Sequence, residues 1–213
     1  MEVTRGKFIT LEGGEGAGKS TQTKRLAEFL RRHGYEVIQT REVGGPPSAE
    51  EIRELWLSKG EDYWDPLTEV VLISAARREH LTKTIWPALD RGAWVVSDRF
   101  VDSTRAYQGI GLGVGLEMID KFYNLIAPKF EPDLTLLLDM PVEGGLERMV
   151  NRGGQDDRYE QKDVNFHETL RAAYLTLAKK YASRMIVING NQNPEAVQKE
   201  IGQAVSKRFG MTV

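Results

Sequence analysis

Short apolar runs alternate along this chain with longer stretches whose apolar positions recur every three to four residues. The runs Lys7 to Leu11, Glu36 to Thr40, Ala93 to Ser97, Leu134 to Asp139 and Met185 to Asn189 predict five strands. Strands separated by helical stretches imply a parallel sheet with crossover helices, an α/β fold. After the first strand, Leu26, Phe29 and Leu30 share one helix face, and Gly34 is placed to end that helix. Leu67 to Leu89 predicts one long helix, stopped or kinked at Pro87. Its segment Val70-Val71-Leu72-Ile73 is apolar around the whole circumference, so it needs cover on more than one side, from this chain or from a second subunit. Phe166, Leu170, Tyr174, Leu177 and Tyr181 form a stripe at helical spacing, read as core packing. No repeat or low-complexity tract interrupts the 213 residues, which predicts one domain over 1–213.

Between the first strand and its helix lies Gly13-x4-Gly18-Lys19-Ser20, a phosphate-loop pattern. A strand before and a helix after aim the loop amides and the positive helix end at one point, where an anion completes them. Gly13, Gly14, Glu15, Gly16, Ala17, Gly18 and Thr21 complete the loop, Lys19 is placed to reach the β and γ phosphates, and the Ser20 hydroxyl to ligate Mg²⁺. This predicts a nucleoside triphosphate without naming the reaction. An Asn-Lys-x-Asp guanine reader and a Leu-Ser-Gly-Gly-Gln transporter signature are both absent from the sequence, which argues against a GTPase or a transporter motor.

The run "WVVSDRF" ends a buried strand on Asp98-Arg99. An acid there suits Mg²⁺ held through water, and an arginine offers a fixed fork to an oxyanion. Arg41, Arg53, Arg77, Arg152 and Arg158 also fall at strand ends and in loops, and together with Arg99 they suggest a second anion near the first. A phosphorylated acceptor beside ATP would bring roughly six negative charges together, each unit pair repelling by ~1 kcal/mol at ~4 Å in water and more in a dry cleft. Arginines, Lys19 and Mg²⁺ are the counterweight.

Charge narrows the partners. Lys and Arg number 29 against 31 Asp and Glu, a net charge of -2, so no whole-molecule nucleic-acid surface is expected. There is no cysteine, which removes disulfides, thiolate zinc and thiol nucleophiles. No run approaches the ~20 apolar residues of a membrane span, and the chain reads as soluble and cytoplasmic.

The segments "LEGGEGAGKST", "TREVGG", "SAARREHL", "DRFVDSTRAYQG" and "PDLTLLLDMPVEGGLERMVNRGGQDDRYEQ" together resemble bacterial thymidylate kinase, end to end and in order. The resemblance implies a three-layer P-loop kinase fold of the nucleoside monophosphate kinase family, with a five-stranded parallel sheet and a short arginine-bearing lid at about 152–162. It implies transfer of the γ-phosphoryl of MgATP to dTMP, and a homodimer. It also implies roles: Glu15 accepts from the deoxyribose 3'-hydroxyl, Arg99 grips the dTMP phosphate, and Arg77 bonds the thymine edge. Thr104 and Gln108 complete the base contacts, Tyr107 crowds the 2' position, and Glu42 and Arg53 line the same pocket. Arg158 matches a lid arginine that stabilises the transferring phosphoryl, worth about 10³ to 10⁵ in rate, and Arg152 touches the nucleotide at the lid's entrance. Asp98 is assigned to a water of Mg²⁺ and to site organisation, since a phosphate acceptor is already an anion and needs no base.

Two positions depart from the family pattern. Ile73 stands where the family has a Phe that stacks on the base, and Val43 stands in Arg41-Glu42-Val43-Gly44-Gly45 where the family has Pro. Ile73 forgoes stacking worth ~0.5 to 1.5 kcal/mol, so weaker thymidine affinity or looser base choice is expected. A related kinase with another monophosphate acceptor, and a nucleotide-binding regulator without turnover, are the competing readings.

Overall fold

The computed structural model describes residues 4–60, 63–151, 159 and 162–211. Five strands, β1 (Phe8–Glu12), β2 (Val37–Arg41), β3 (Trp94–Asp98), β4 (Leu134–Asp139) and β5 (Met185–Asn189), form one parallel sheet in the order β2-β3-β1-β4-β5. The central strand β1 is buried along its whole length, which is why it reads as an unbroken apolar run. The first three strands begin and end one residue later than the apolar runs suggest. Pairing of Leu11 and Arg41 with Asp98, and of Glu12 with Leu137, carries the ladders onto charged residues at the carboxyl edge.

Helices cover both faces. On one, Leu26, Ala27 and Leu30 of α1 (Lys19–Arg32) and Val197, Ile201 and Val205 of α9 (Pro194–Phe209) pack on Ile9, Leu11, Leu136 and Leu138. On the other lie α8 (Val164–Lys180), with Leu170, Tyr174 and Leu177, and the helical run that follows α2 (Pro47–Leu57). Gly34 ends the first helix at φ 85°, a left-handed conformation that glycine takes without a Cβ clash.

The stretch from 66 to 90 is not one regular helix. It runs as α3 (Pro66–His80), a wide π-helical turn over Leu81–Ile85, and α4 (Trp86–Asp90), with Pro87 in the first turn of α4. Proline lacks an N–H and clashes with the preceding turn, and the wide turn absorbs both just upstream. The all-apolar segment is covered unevenly: Val70 and Ile73 are buried, whereas Val71 is 46% exposed. A second π-helical turn, Arg105–Gly111, follows the short α5 (Val101–Thr104) and precedes α6 (Leu116–Ile126); α7 (Val142–Val150) follows β4. Among the described residues, no helix is long and apolar enough to cross a membrane. The lid positions Arg152 and Arg158 lie outside the described residues.

Candidate active site

The carboxyl ends of β1 and β3 meet where the sheet order reverses around β1, the usual crevice for a ligand in an open parallel sheet. The loop after β1 needs glycine at two points. Gly13 is at φ 143° with the Leu138 carbonyl 2.5 Å from where a Cβ would stand, and Gly16 is at φ 69° against the Gly145 carbonyl at 1.9 Å. Any larger residue would push the loop off the sheet. Lys19 opens α1, and its Nζ donates to the Gly14 carbonyl at 2.7 Å across the loop. The Ser20 hydroxyl donates to Asp98 Oδ2 at 2.6 Å, joining loop and β3.

From that point a cleft of about 560 Å³ extends toward α3. Glu15, Glu42, Arg53, Ile73, Arg77, Arg99, Thr104, Tyr107 and Gln108 all line it, as do Gly16, Gly18, Lys19, Ser20 and Asp98. Gly13, Gly14, Ala17 and Thr21 do not; Ala17 is buried in the core beneath the loop.

Arg99 is the hub. Its backbone is at φ 66°, a left-handed conformation that costs a non-glycine residue about 1 kcal/mol. The Arg99 N–H bond to the Leu11 carbonyl and the Ser97 hydroxyl bond to the Arg99 carbonyl, both 2.9 Å, hold it there. Nη2 donates to Glu15 Oε1 at 2.5 Å and to the Tyr107 hydroxyl at 3.1 Å; Nη1 donates to Gly13 O, Ser103 Oγ and the Tyr174 hydroxyl. Tyr107 donates in turn to Glu15 at 2.6 Å. Burial pushes the Glu15 carboxyl up, but Arg99, then Lys19 and the Tyr107 hydrogen bond, outweigh it and hold Glu15 down at about 2. Burial, followed by the Arg99 charge, lowers the Lys19 ammonium from its ordinary range, against the pull of Glu15, Asp98 and Glu12.

At the other end of the cleft, Arg77 donates from Nε to Glu42 at 2.7 Å and from Nη2 to Thr104 Oγ1 at 2.9 Å, with its guanidinium 5.2 Å from the Phe100 ring centre. Glu42 also meets His80 Nδ1 at 3.0 Å, and His80 Nε2 meets Thr40 at 2.7 Å. Burial opposes the charge on Glu42; Arg77 and His80 overcome it and keep its carboxyl below the ordinary range. Arg53 donates to the Val43 carbonyl at 2.8 Å, and the Glu42–Val43 peptide is cis.

Glu12, Ser103, Tyr174 and His80, to which the sequence assigns no role in the chemistry, also belong to this site. Glu12 is fully buried, accepting from the Phe100 N–H at 2.8 Å and the Ser103 hydroxyl at 2.5 Å, and Tyr174, read as plain core, gives its hydroxyl to the Arg99 cluster. A phenol at the centre of an apolar stripe is the available signal, since a buried hydroxyl needs a partner. His80 was hidden because its partners Thr40 and Glu42 are distant in sequence.

Burial, reinforced by the Asp102 charge, pushes the Glu12 carboxyl up to about 7, against the Ser103 hydrogen bond, Arg99 and the Phe100 N–H. A folded value above the unfolded 4.5 means stability present below pH 4.5 and lost as pH rises through about 7, on the order of 3 kcal/mol. Chemical denaturation of wild type and Glu12→Gln from pH 4.5 to 8 should show wild type losing ground steadily with pH. A difference that stays flat would mean that Glu12 titrates normally.

The comparisons with known proteins agree with this geometry. The family model described as thymidylate kinase matches residues 11–201. The thymidylate kinase of Caulobacter vibrioides is 48% identical over 209 residues, 98% of this chain and 100% of that protein, and that of Alkalilimnicola ehrlichii is 48% identical over 96% and 94%. The crystal structure of thymidylate kinase from Ehrlichia chaffeensis superposes with a TM-score of 0.77 at 33% identity, covering 94% of this chain and 99% of that one. With the family model and near full-length relatives in accord with the sheet order and the loop geometry, the chain belongs to the thymidylate kinase family.

Proposed function

We propose that this protein transfers the γ-phosphoryl group of MgATP to dTMP, giving dTDP and ADP, within one kinase domain acting in the cytoplasm. The observation that carries the reading is the continuity of a single cleft. A triphosphate-binding loop at one end and the Arg77, Thr104 and Gln108 cluster at the other are joined through Arg99, Glu15 and Tyr107.

ATP would lie on the loop amides and Lys19, and dTMP would lie between Arg99 and Arg77. Ile73 and Phe100 offer apolar surface to the base, and Glu15 an ionised acceptor to the sugar. Tyr107, fastened to both Glu15 and Arg99, is a rigid wall beside the sugar. The acceptor oxygen is already anionic, so the residues act by aligning it and balancing its charge rather than by removing a proton.

The donor set at the loop mouth fits Mg²⁺. The Ser20 hydroxyl and Asp98 carboxylate are hard oxygen donors 2.6 Å apart, and the described residues contain no cluster of three or more His, Cys, Asp or Glu. That matches an ion bound by one or two protein oxygens, substrate phosphates and water. When bound, it would neutralise charge on the phosphates; Ser20 would coordinate it and Asp98 would hold its water. Arg152 and Arg158, outside the described residues, are assigned to the nucleotide and to the transferring phosphoryl on the resemblance alone.

The expected partner is a second copy of this chain. Leu67 and Val71 of α3, one turn apart, are 40% and 46% exposed, and Met118 and Leu125 of the neighbouring α6 are 37% and 79% exposed. An apolar face shared by two helices is suited to a twin. Light scattering should return a dimer mass, and a monomer mass at working concentration would remove the assignment.

The decisive test of function is ADP release, coupled to an indicator, over a panel of monophosphates. Turnover with dTMP well above the other acceptors is expected. Preference for a different monophosphate would identify a relative, and ATP binding without turnover would identify a regulator.

A further inference from the structure

Glu69 has no place in the chemistry described so far, yet it is a carboxylate only 1% exposed, one turn before Ile73 on α3. It does not itself line the cleft. Its Oε2 accepts from Gln108 Nε2 at 3.0 Å and from the Tyr159 hydroxyl, and the oxygen of that hydroxyl accepts from the same Gln108 Nε2 at 2.9 Å. Gln108 is 2% exposed, so its amide has little freedom to turn without a replacement partner.

An amide can present either end, and its hydrogen-bond partners decide which. Here they are unambiguous. Glu69 Oε2 accepts from both neighbours, and the Tyr159 hydroxyl spends its hydrogen on Glu69 and is left as an acceptor. Both require Gln108 to turn its NH₂ toward them, which leaves the carbonyl oxygen as the polar end available to the cleft that Gln108 lines.

Arg77, with Nε on Glu42 and Nη2 on Thr104, can offer only further N–H donors from its remaining nitrogen. The cleft thus pairs an acceptor with a donor. A pyrimidine with an N3–H donor and a 4-oxo acceptor is complementary to that pair. One with a bare N3 and a 4-amino group meets acceptor with acceptor and donor with donor.

We propose that Glu69 is a positioning residue for base choice, locking the Gln108 amide with its oxygen toward the cleft so that 4-oxo pyrimidines are accepted and 4-amino pyrimidines rejected. This rests on the reading of the cleft as the dTMP site. In Glu69→Gln the new amide can either accept or donate, and Gln108 becomes free to flip. The kcat/KM ratio of dTMP to dCMP should fall roughly tenfold or more, through the KM of the acceptor, with the KM for ATP unchanged. Glu69→Asp, which keeps a carboxyl group and adds no amide, should retain the ratio even if it loses activity. Tyr159→Phe removes one of the two groups that fix the amide and should move the ratio in the same direction by less; it carries the test if Glu69→Gln does not fold. In a Gln108→Leu background, Glu69→Gln should leave the ratio where Gln108→Leu put it, whereas a general structural role would lower activity on both acceptors alike. A folded Glu69→Gln, or failing that Tyr159→Phe, with the wild-type ratio overturns the proposal. Wild type that does not phosphorylate dTMP overturns the functional reading instead.

Discussion

Lys19→Met should lower kcat by about 10³-fold or more while leaving dTMP affinity within a few-fold. One neutral donor aimed at developing charge is worth about 10² to 10³ in rate, and a charged donor more. Lys19 is buried at the head of α1 with its Nζ held 2.7 Å from the Gly14 carbonyl, inside the arc of the loop where ATP phosphates would lie. Methionine matches its length and apolar stem, so the folding core under the loop should survive and the loss should be one of charge. Rapid-quench single turnovers would report the chemical step, and titration calorimetry with dTMP would report acceptor binding. A variant retaining a tenth of wild-type turnover would show that the loop amides suffice.

Arg99→Met should cost comparably, and on the other substrate. The side chain makes five hydrogen bonds, to Gly13, Ser103, Tyr174, Glu15 and Tyr107. Charged hydrogen bonds contribute about 1.5 to 3 kcal/mol each, so losing a two-pronged grip on an acceptor phosphate amounts to roughly 10² to 10⁴ in kcat/KM for dTMP. The KM for ATP should change far less. Arg99→Lys should recover only part, because an ammonium cannot span two oxygens in a fixed plane.

A second signature comes from Glu15. Its folded value near 2, below the ordinary 4.5, is stability present above pH 4.5 and lost as pH falls through about 2, on the order of 3 kcal/mol. Without Arg99 that stability largely disappears, so the acid-unfolding midpoint should move to higher pH. An unchanged midpoint together with an unchanged acceptor KM would remove Arg99 from its central position.

Strand count and the phosphate loop were legible because both are local. A buried parallel strand is an apolar run, and a loop that approaches backbone as closely as Gly16 approaches Gly145 admits only glycine. The grouping of Glu42, Arg77, Thr104, Tyr107 and Gln108 was reachable through resemblance, not through spacing, since they come from three separate segments. Tyr174 lies in the core as its place in the stripe predicts, but helical periodicity reports which face is buried and is silent on what a buried hydroxyl bonds. The stretch Leu67 to Leu89 reads as one helix stopped or kinked at Pro87, while the π-helical turn just upstream depends on hydrogen-bond geometry that composition does not report.

Residue order along this chain was enough to dictate a parallel α/β sheet, the phosphate loop at the end of its first strand, and an acid and an arginine at the end of its third. Those follow from short-range physics: apolar periodicity, glycine conformation and charge at strand ends. Folding alone brought Glu12, Ser103 and Tyr174 around Arg99, set His80 behind Glu42, and placed Glu69 against Gln108. These partners lie 4 to 91 residues apart in sequence, and a buried charge or amide takes its state from whatever the packed chain places within about 3 Å of it.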